Sequence, residues 1–423
     1  MLSKIEALHY RSLQYVSQPI APFQVLIGPN ASGKTTFLDV VALLGDIVRA
    51  NSVADAIRSR APDLRDLTWN GQTDWFEVRL EAQIPEPLQR ESYPHIQYEA
   101  RIGVSEQGEI ALLAETVWLA PKVSLTAPPS RQQSIFPQPP PPPARLTLSP
   151  DKKGEARGRR QVLNKTASGR DYFRSEKTDW NNQFRLGPRR SALANLPEDE
   201  DRFPATIWFK RYLTEGVQRI MLNSEALRRP VPPQSPRRFL PDGSNLPWVI
   251  DTLANTAPDR FERWVAHVRT ALPDVHTITT VERPEDRHRY LKITYDSGLS
   301  VPSWTVSDGT LRLLALTILA YLPDTQGTYL IEEPENGIHP RAVETVMDSL
   351  KSVYSGQVLL ATHSPTILGL TEPKDLLCFA RTPDGRTDIV RGDQHPNLIN
   401  WQREISLDTL FASGVLQRWF PAG

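Results

Sequence analysis

Cysteine, net charge and long apolar runs are all scarce in this chain of 423 residues. The lone cysteine, Cys378, lies in the apolar run Leu376, Leu377, Phe379, which excludes a disulfide framework. A buried, inert thiol and a reducing, cytoplasmic setting are the expectation. Lys+Arg and Asp+Glu both number 49, so no chain-wide field draws the protein to nucleic acid or acidic lipid. A partner of that kind must be met by a local patch. Charges at Lys4 and Glu6 interrupt the apolar stretch that a signal peptide needs. The longest apolar helix candidate, Leu311 to Leu322, contains Arg312 and falls short of the ~20 residues of a membrane span. No membrane association is expected. There is no heptad run either, and hence no long coiled-coil arm.

At 47.7 kDa the chain suits two or three lobes. It is organised around Gly28-Pro29-Asn30-Ala31-Ser32-Gly33-Lys34-Thr35-Thr36, which matches G-x-x-x-x-G-K-[ST]. The strand-like run Phe23 to Ile27 precedes the loop and a helical run, Phe37 to Val48, follows it, which is the context this pattern requires. Gly28 and Gly33 let the backbone curl so that its N–H groups face phosphate oxygens, and the following helix adds positive potential at that end. Lys34 reaches the β- and γ-phosphates of a nucleoside triphosphate, Thr35 offers a hydroxyl to Mg²⁺, and Thr36 reaches the α-phosphate or helps start the helix. Ser3 to Ala7 and Gln14 to Ser17 read as strands that join Phe23–Ile27 in the sheet presenting the loop.

Further along, Ser52 to Arg60 reads as helix, and Trp75–Ile84, His95–Val104 and Glu109–Leu119 as antiparallel strands. Proline then dominates from Ala127-Pro128-Pro129 to the run Pro139–Pro143, which excludes helix and central strand. Residues 151 to 190 are basic (Lys152, Lys153, Arg157, Arg159, Arg160, Lys165, Arg170, Arg174, Lys177, Arg185, Arg189, Arg190), with Tyr172, Phe173, Trp180 and Phe184 interleaved. That mixture suits a phosphate backbone with stacked bases. It equally suits a solvated surface whose aromatics hold a hairpin to the body. Phe203 to Leu222 has helical spacing. Leu246–Asn255 and Asp259–Leu272 also read as helices, and His276–Val281 and His288–Tyr295 as strands.

Three elements in the last third bear on the loop. Ser307-Asp308-Gly309-Thr310 opens a helix and makes a second anion-binding turn. The strand Tyr329–Ile331 ends in Glu332-Glu333-Pro334-Glu335-Asn336-Gly337, where the first carboxylate can hold a metal's water shell and the second can orient water. The strand Val358–Ala361 ends in Thr362-His363-Ser364, with His363 placed to sense a γ-phosphate. Singly, each has a bland reading as a helix cap, a solvated pair or a loop histidine. Open α/β sheets, however, bind ligands at the carboxyl ends of their strands, and the three strands expected to be most buried all end in one of these elements.

With these residues the chain resembles the soluble branch of ATP-binding-cassette ATPases: RecF, the structural-maintenance-of-chromosomes (SMC) proteins, the OLD nucleases and bacterial "AAA family ATPases" linked to phage defence. Gly28–Thr36 resembles the Walker A loop, Glu332-Glu333 the Walker B pair, Ser307–Thr310 the signature, Glu335–His339 the D-loop and His363 the switch histidine. Many relatives have Asp where Glu332 stands, and Gly and Gln where Asp308 and Thr310 stand. Gln72, Gln97 and Gln107 are the candidates for the Q-loop glutamine.

The resemblance implies an α/β P-loop fold with a mixed sheet and a β-rich N-terminal lobe. It places the two halves of the ATPase at 1–120 and 275–423, with an insertion at 121–274. It implies ATP and Mg²⁺ as ligands, and a homodimer or higher oligomer in which Ser307, Asp308 and Gly309 meet the partner's nucleotide. Thr35 and Glu332 would hold the metal, and Lys34, Glu333 and His363 would act in hydrolysis. About sixty residues follow His363, too few for a fused Toprim nuclease, so any nuclease or other effector is expected as a separate polypeptide. DNA is a possible partner. The competing reading is a slow, ATP-dependent assembly scaffold.

Overall fold

In the computed structural model, residues 1–90, 92–121, 142–148, 158–167, 171–323 and 327–395, with Leu398 and Thr409, are described. The stretch at Ala127-Pro128-Pro129, Pro139–Pro141, and Lys152, Lys153, Arg157 and Arg170 lie outside these residues.

Among the described residues, nine strands come from the first 184: β1 (Leu2–Tyr10), β2 (Leu13–Pro19), β3 (Phe23–Ile27), β4 (Trp75–Gln83), β5 (His95–Val104), β6 (Ile110–Ala120), β7 (Arg160–Thr166), β8 (Asp171–Arg174) and β9 (Asn181–Phe184). All but β3 form one antiparallel sheet, in the order β2-β1-β4-β5-β6-β7-β8-β9. On β4, Phe76, Val78, Leu80 and Ala82 alternate into the core, as the two-residue period of a strand requires. Its other face is polar but also covered: Arg79 bonds Glu6 at 2.9 Å and Glu99 at 3.0 Å. Residues 146–148 lie over that face, with Thr147 N–H donating to Glu77 at 2.8 Å and Leu148 N–H to Glu99 at 2.9 Å.

The second sheet carries the site. Its strands run β10 (Val217–Ile220), β14 (Thr328–Glu332), β15 (Gln357–Thr362), β3, β16 (Leu376–Arg381), β17 (Thr387–Arg391), parallel except for β17. A small third sheet holds β11 (Val275–Glu282), β12 (Arg289–Tyr295) and β13 (Ser300–Pro302). The helices are α1 (Lys34–Arg49), α2 (Val53–Arg58), α3 (Pro204–Arg211), α4 (Ser224–Arg228), α5 (Leu246–Thr256), α6 (Pro258–Ala271), α7 (Asp308–Thr317), α8 (Pro340–Lys351) and α9 (Pro365–Gly369). None among the described residues is long and apolar enough to cross a membrane.

Two cores flank the parallel sheet. Leu26, Leu330, Leu359 and Ala361 face α1 and the first sheet. Their strand neighbours Val25, Ile27, Ile331, Val358 and Leu360 face α5–α8, among them Trp264, Leu314 and Met347. Strands buried on both faces read as unbroken apolar runs, which is why β3, β14 and β15 stand out in the sequence. Cys378 on β16 is buried, and burial raises its thiol to about 12, the inert cysteine expected.

Two expectations need correction. β1 and β2 do not share a sheet with β3. They pair with each other and β1 with β4, while β3 is taken up between β15 and β16. The helical spacing of Phe203–Leu222 is realised only by α3, followed by a wide turn at Tyr212–Gly216 and then strand β10. Val217 and Ile220 fit either a helix face or a strand, and the open edge of β14 decides for pairing.

In the basic stretch, Phe173 stacks on Phe184 at 4.0 Å, and both Phe173 and Trp180 meet the edge of Phe203. These aromatics hold the β8–β9 hairpin to the body. Residues between 121 and 274 thus supply β7–β9 to the first sheet, β10 to the second and α5–α6 to the second core.

Glu115 on β6 ties the first sheet to the chain leading toward α3. Its buried carboxylate accepts from Tyr98 Oη (2.9 Å), Ser191 Oγ (2.6 Å) and the N–H groups of Ala192 (2.6 Å) and Leu193 (3.1 Å). Glu115→Ala would leave these buried donors unpaired. A loss of roughly 3 kcal/mol is expected, read as a lowered midpoint in thermal and urea unfolding followed by circular dichroism.

Candidate functional site

Parallel register aligns the carboxyl ends of three adjacent strands: Glu332 pairs with Ala361, and Thr362 with Ile27. The loop leaves β3 at Gly28 (φ 153°), passes Ala31 in the left-handed region (φ 61°) and enters α1 at Gly33 (φ 102°). A Cβ on Gly28 would lie 2.3 Å from the Phe379 carbonyl, and one on Gly33 2.3 Å from Thr387 Oγ1. Only glycine fits either place. Thr387 Oγ1 donates to the Ser32 carbonyl at 2.9 Å and fastens the loop from behind. Gly33 offers no side-chain cap, so the first N–H groups of α1 remain open to an anion. Ser32 Oγ is buried without a partner, whereas Asn30, Ala31 and Thr35 are exposed and Thr36 half-buried.

Lys34 folds back into this loop. Its Nζ donates to the carbonyls of Gly28 (2.8 Å) and Pro29 (3.1 Å) and stands 3.1 Å from His363 Nε2. Burial lowers the Lys34 ammonium to about 8, with Glu333 and Glu332 opposing the shift. His363 is also lowered, first by burial and then by Lys34. A neutral imidazole with its proton on Nδ1 can accept from Lys34.

The sign of the pH effect follows. Phosphate oxygens favour the charged lysine, so nucleotide binding should raise its pKa. Affinity is then full below pH 8 and falls as pH rises through about 8 toward the bound value. Calorimetry of ATP binding at pH 8.5, in buffers of different ionisation enthalpy, should show net proton uptake by the protein. Its absence would mean that Lys34 is already fully charged.

Glu332 and Glu333 point to different jobs. Glu332 Oε2 accepts from Thr35 Oγ1 at 2.5 Å, and its Oε1 accepts from Arg219 Nη2 at 2.6 Å. Glu333 is held in the left-handed region (φ 49°), with its N–H on the Ala361 carbonyl at 2.8 Å. That turn sets Glu333 Oε1 3.6 Å from His363 Nε2. Glu335 accepts from Thr362 Oγ1 at 2.5 Å; burial raises its carboxyl, and Glu333 adds to the rise. Among the described residues no three His, Cys, Asp or Glu side chains group as a metal cage. One hydroxyl and one carboxylate fit Mg²⁺, which keeps most of its shell as water and phosphate oxygens.

Ser307 caps α7, accepting from Thr310 N–H at 3.2 Å, and Arg228 pairs with Asp308 through Nε at 3.0 Å and Nη2 at 2.5 Å. A Cβ on Gly309 would stand 2.4 Å from the Gly337 carbonyl, so this turn abuts the segment that follows Glu333. Lys34, Thr35, Glu332, Glu333 and His363 thus converge, while the contacts of Ser307, Asp308 and Gly309 run to Arg228, Thr310 and Gly337. Thr387, Arg228 and Arg219 were not foreseen. No motif marks them; strand pairing brings in Thr387 and Arg219, and the contact of α4 with Asp308 brings in Arg228. Gln97 lies on β5, Gln72 in the turn before β4, and Gln107 in the turn between β5 and β6.

The profile of the family described as "AAA domain, putative AbiEii toxin, Type IV TA system" matches residues 23–369. No curated protein matches the chain in sequence. Among solved structures, an SMC head bound to the C-terminal winged-helix domain of ScpA is 14% identical, with a TM-score of 0.51 over 92% of this chain and 96% of that one. An SMC head with an extended coiled coil, bound to the C-terminal domain of ScpA from Pyrococcus furiosus, is 13% identical (TM-score 0.49, 92% and 95% covered). An SMC head from Thermotoga maritima is 11% identical (TM-score 0.43, 92% and 98% covered). The first of these likenesses establishes the fold as that of SMC-head, ABC-type P-loop domains. By its matched span the chain belongs to this AAA-domain family.

Proposed function

We propose that the chain binds Mg²⁺·ATP at residues 28–36, hydrolyses it, and uses the cycle to close and release a homodimer that gates a DNA-linked process such as phage defence or repair. The observation that carries the chemistry is the convergence of Lys34, Thr35, Glu332, Glu333 and His363 at three adjacent strand ends. The loop N–H groups and the start of α1 cradle the phosphates. Lys34 leaves the Gly28 and Pro29 carbonyls and moves its charge onto the β- and γ-phosphate oxygens. Thr35 and Glu332 would hold Mg²⁺, which when bound would supply charge neutralisation on those phosphates. Glu333 orients the attacking water and takes its proton, and His363 contacts the γ-phosphate from the end of β15. Ser307, Asp308 and Gly309 face the nucleotide of a second copy, which completes the site.

Residues 1–120 and 275–423 are read as the halves of the ATPase, and 121–274 as the insertion on which a trigger or partner acts. Two findings support a partnered, defence-linked role. The family's description refers to toxin–antitoxin systems, and the similar SMC head is held by a separate polypeptide. The effector is accordingly proposed to be encoded separately.

The decisive experiment is multiple-turnover phosphate release with and without DNA, alongside mass measurement with and without ATP. Turnover that DNA stimulates, with an ATP-dependent dimer, supports the proposal. A stable ATP-bound assembly with negligible turnover would replace it with a scaffold that holds an effector.

A further inference from the structure

Arg219 enters the site from the edge strand. On β10 it pairs with Leu330 of β14, and its guanidinium reaches forward to the strand's end. The Glu332 carboxylate is thereby claimed on both oxygens, by Arg219 at 2.6 Å and by Thr35 at 2.5 Å. The glutamate arm spans both partners. A hydroxyl in direct contact with the carboxylate leaves no room for a cation between them. A divalent ion must therefore part Thr35 from Glu332 and then share one negative charge with a guanidinium already bound to it. Glu333, the nearest other carboxylate in sequence, is turned toward His363 by its left-handed backbone. Among the described residues no group of three or more His, Cys, Asp or Glu side chains could hold the ion instead.

We propose that Arg219 is a positioning residue that balances the charge of Glu332 and keeps the Thr35–Glu332 pair closed to free Mg²⁺, so that the metal enters only with the nucleotide's phosphates. The physical reason is a difference in charge. A lone cation gains one already neutralised carboxylate and is repelled by the guanidinium. A nucleotide-bound cation brings its own phosphate ligands and needs only a hydrogen-bonded oxygen from the protein. Arg219 would then keep hold of Oε1, leaving Oε2 to hold the nucleotide-bound metal. The inference rests on reading residues 28–36 as a nucleotide site.

The test measures metal binding to the full chain without nucleotide. Mn²⁺, which is paramagnetic and takes Mg²⁺ sites, is titrated and its free fraction read by electron paramagnetic resonance. Wild type is expected to bind it weakly. Arg219→Gln, and Arg219→Met, which keeps the apolar stem, should bind at least about tenfold more tightly, because the repelling charge is gone. Arg219→Lys should restore weak binding, and Glu332→Gln added to Arg219→Gln should abolish the gain. Mn²⁺ isotherms for both neutral variants that superimpose on wild type would overturn the proposal, as would a gain that survives Glu332→Gln. A separate titration with a fluorescent ATP analogue in Mg²⁺ tests the nucleotide reading. Failure of wild type there removes that reading, whereas failure of the Mn²⁺ comparison alone removes only the role of Arg219.

Discussion

Lys34→Ala is expected to lose ATP affinity by at least about a hundredfold, since two charge-assisted contacts to phosphate contribute roughly 1.5–3 kcal/mol each and every 1.4 kcal/mol is tenfold. Lys34 is 6% exposed and its ammonium is held against the loop by two of the loop's own carbonyls. Alanine removes both the charge and the side chain that braces the loop. Calorimetry or fluorescent-nucleotide titration reads the binding, and a melting curve checks that the fold survives, as it should with the Thr387 contacts intact. A variant that binds or hydrolyses ATP like wild type would remove residues 28–36 from the chemistry altogether.

Glu333→Gln separates binding from turnover. Glutamine keeps the shape and can follow the same turn from Glu332 into Pro334, but a carboxamide cannot take a proton from water. Turnover is expected to fall about 10²- to 10⁴-fold, the usual contribution of a general base, with ATP affinity kept. The arrested ATP state should then accumulate as a dimer, visible by light scattering after gel filtration with saturating ATP. A monomer under those conditions rejects the head-to-tail sandwich, and an unchanged hydrolysis rate rejects Glu333 as the base.

The nucleotide loop and its strand ends were readable in sequence because they depend on local properties. Gly28 and Gly33 are needed for backbone shape, Lys34 and Thr35 follow at fixed spacing, and the buried strands β3, β14 and β15 are unbroken apolar runs. Sheet membership is not local. The pattern of β1 suits an edge beside β3 as well as its real partners β2 and β4, and β4, which fixes β1 in the first sheet, lies more than sixty positions away. The same holds for Phe203–Leu222, where one apolar pattern divides between a helix and a strand once β14 offers an edge. Arg219 was invisible for that reason: it is one arginine among many until β10 sets it against Glu332. The aromatics near 172–184 could be read for stacking on bases or on each other, and Phe173, Trp180 and Phe184 turn inward.

One pairing carries a consequence for how the protein is made. β3, from residues 23–27, is bordered by β15 at 357–362 and β16 at 376–381. Contacts this far apart in the chain form late and slowly. A ribosome must therefore release the chain through β16 before the loop after β3 has a rigid base, although the loop itself emerges much earlier. Nascent chains should be blind to ATP until β16 is in place, and until then the apolar face of α1 is exposed to chaperones.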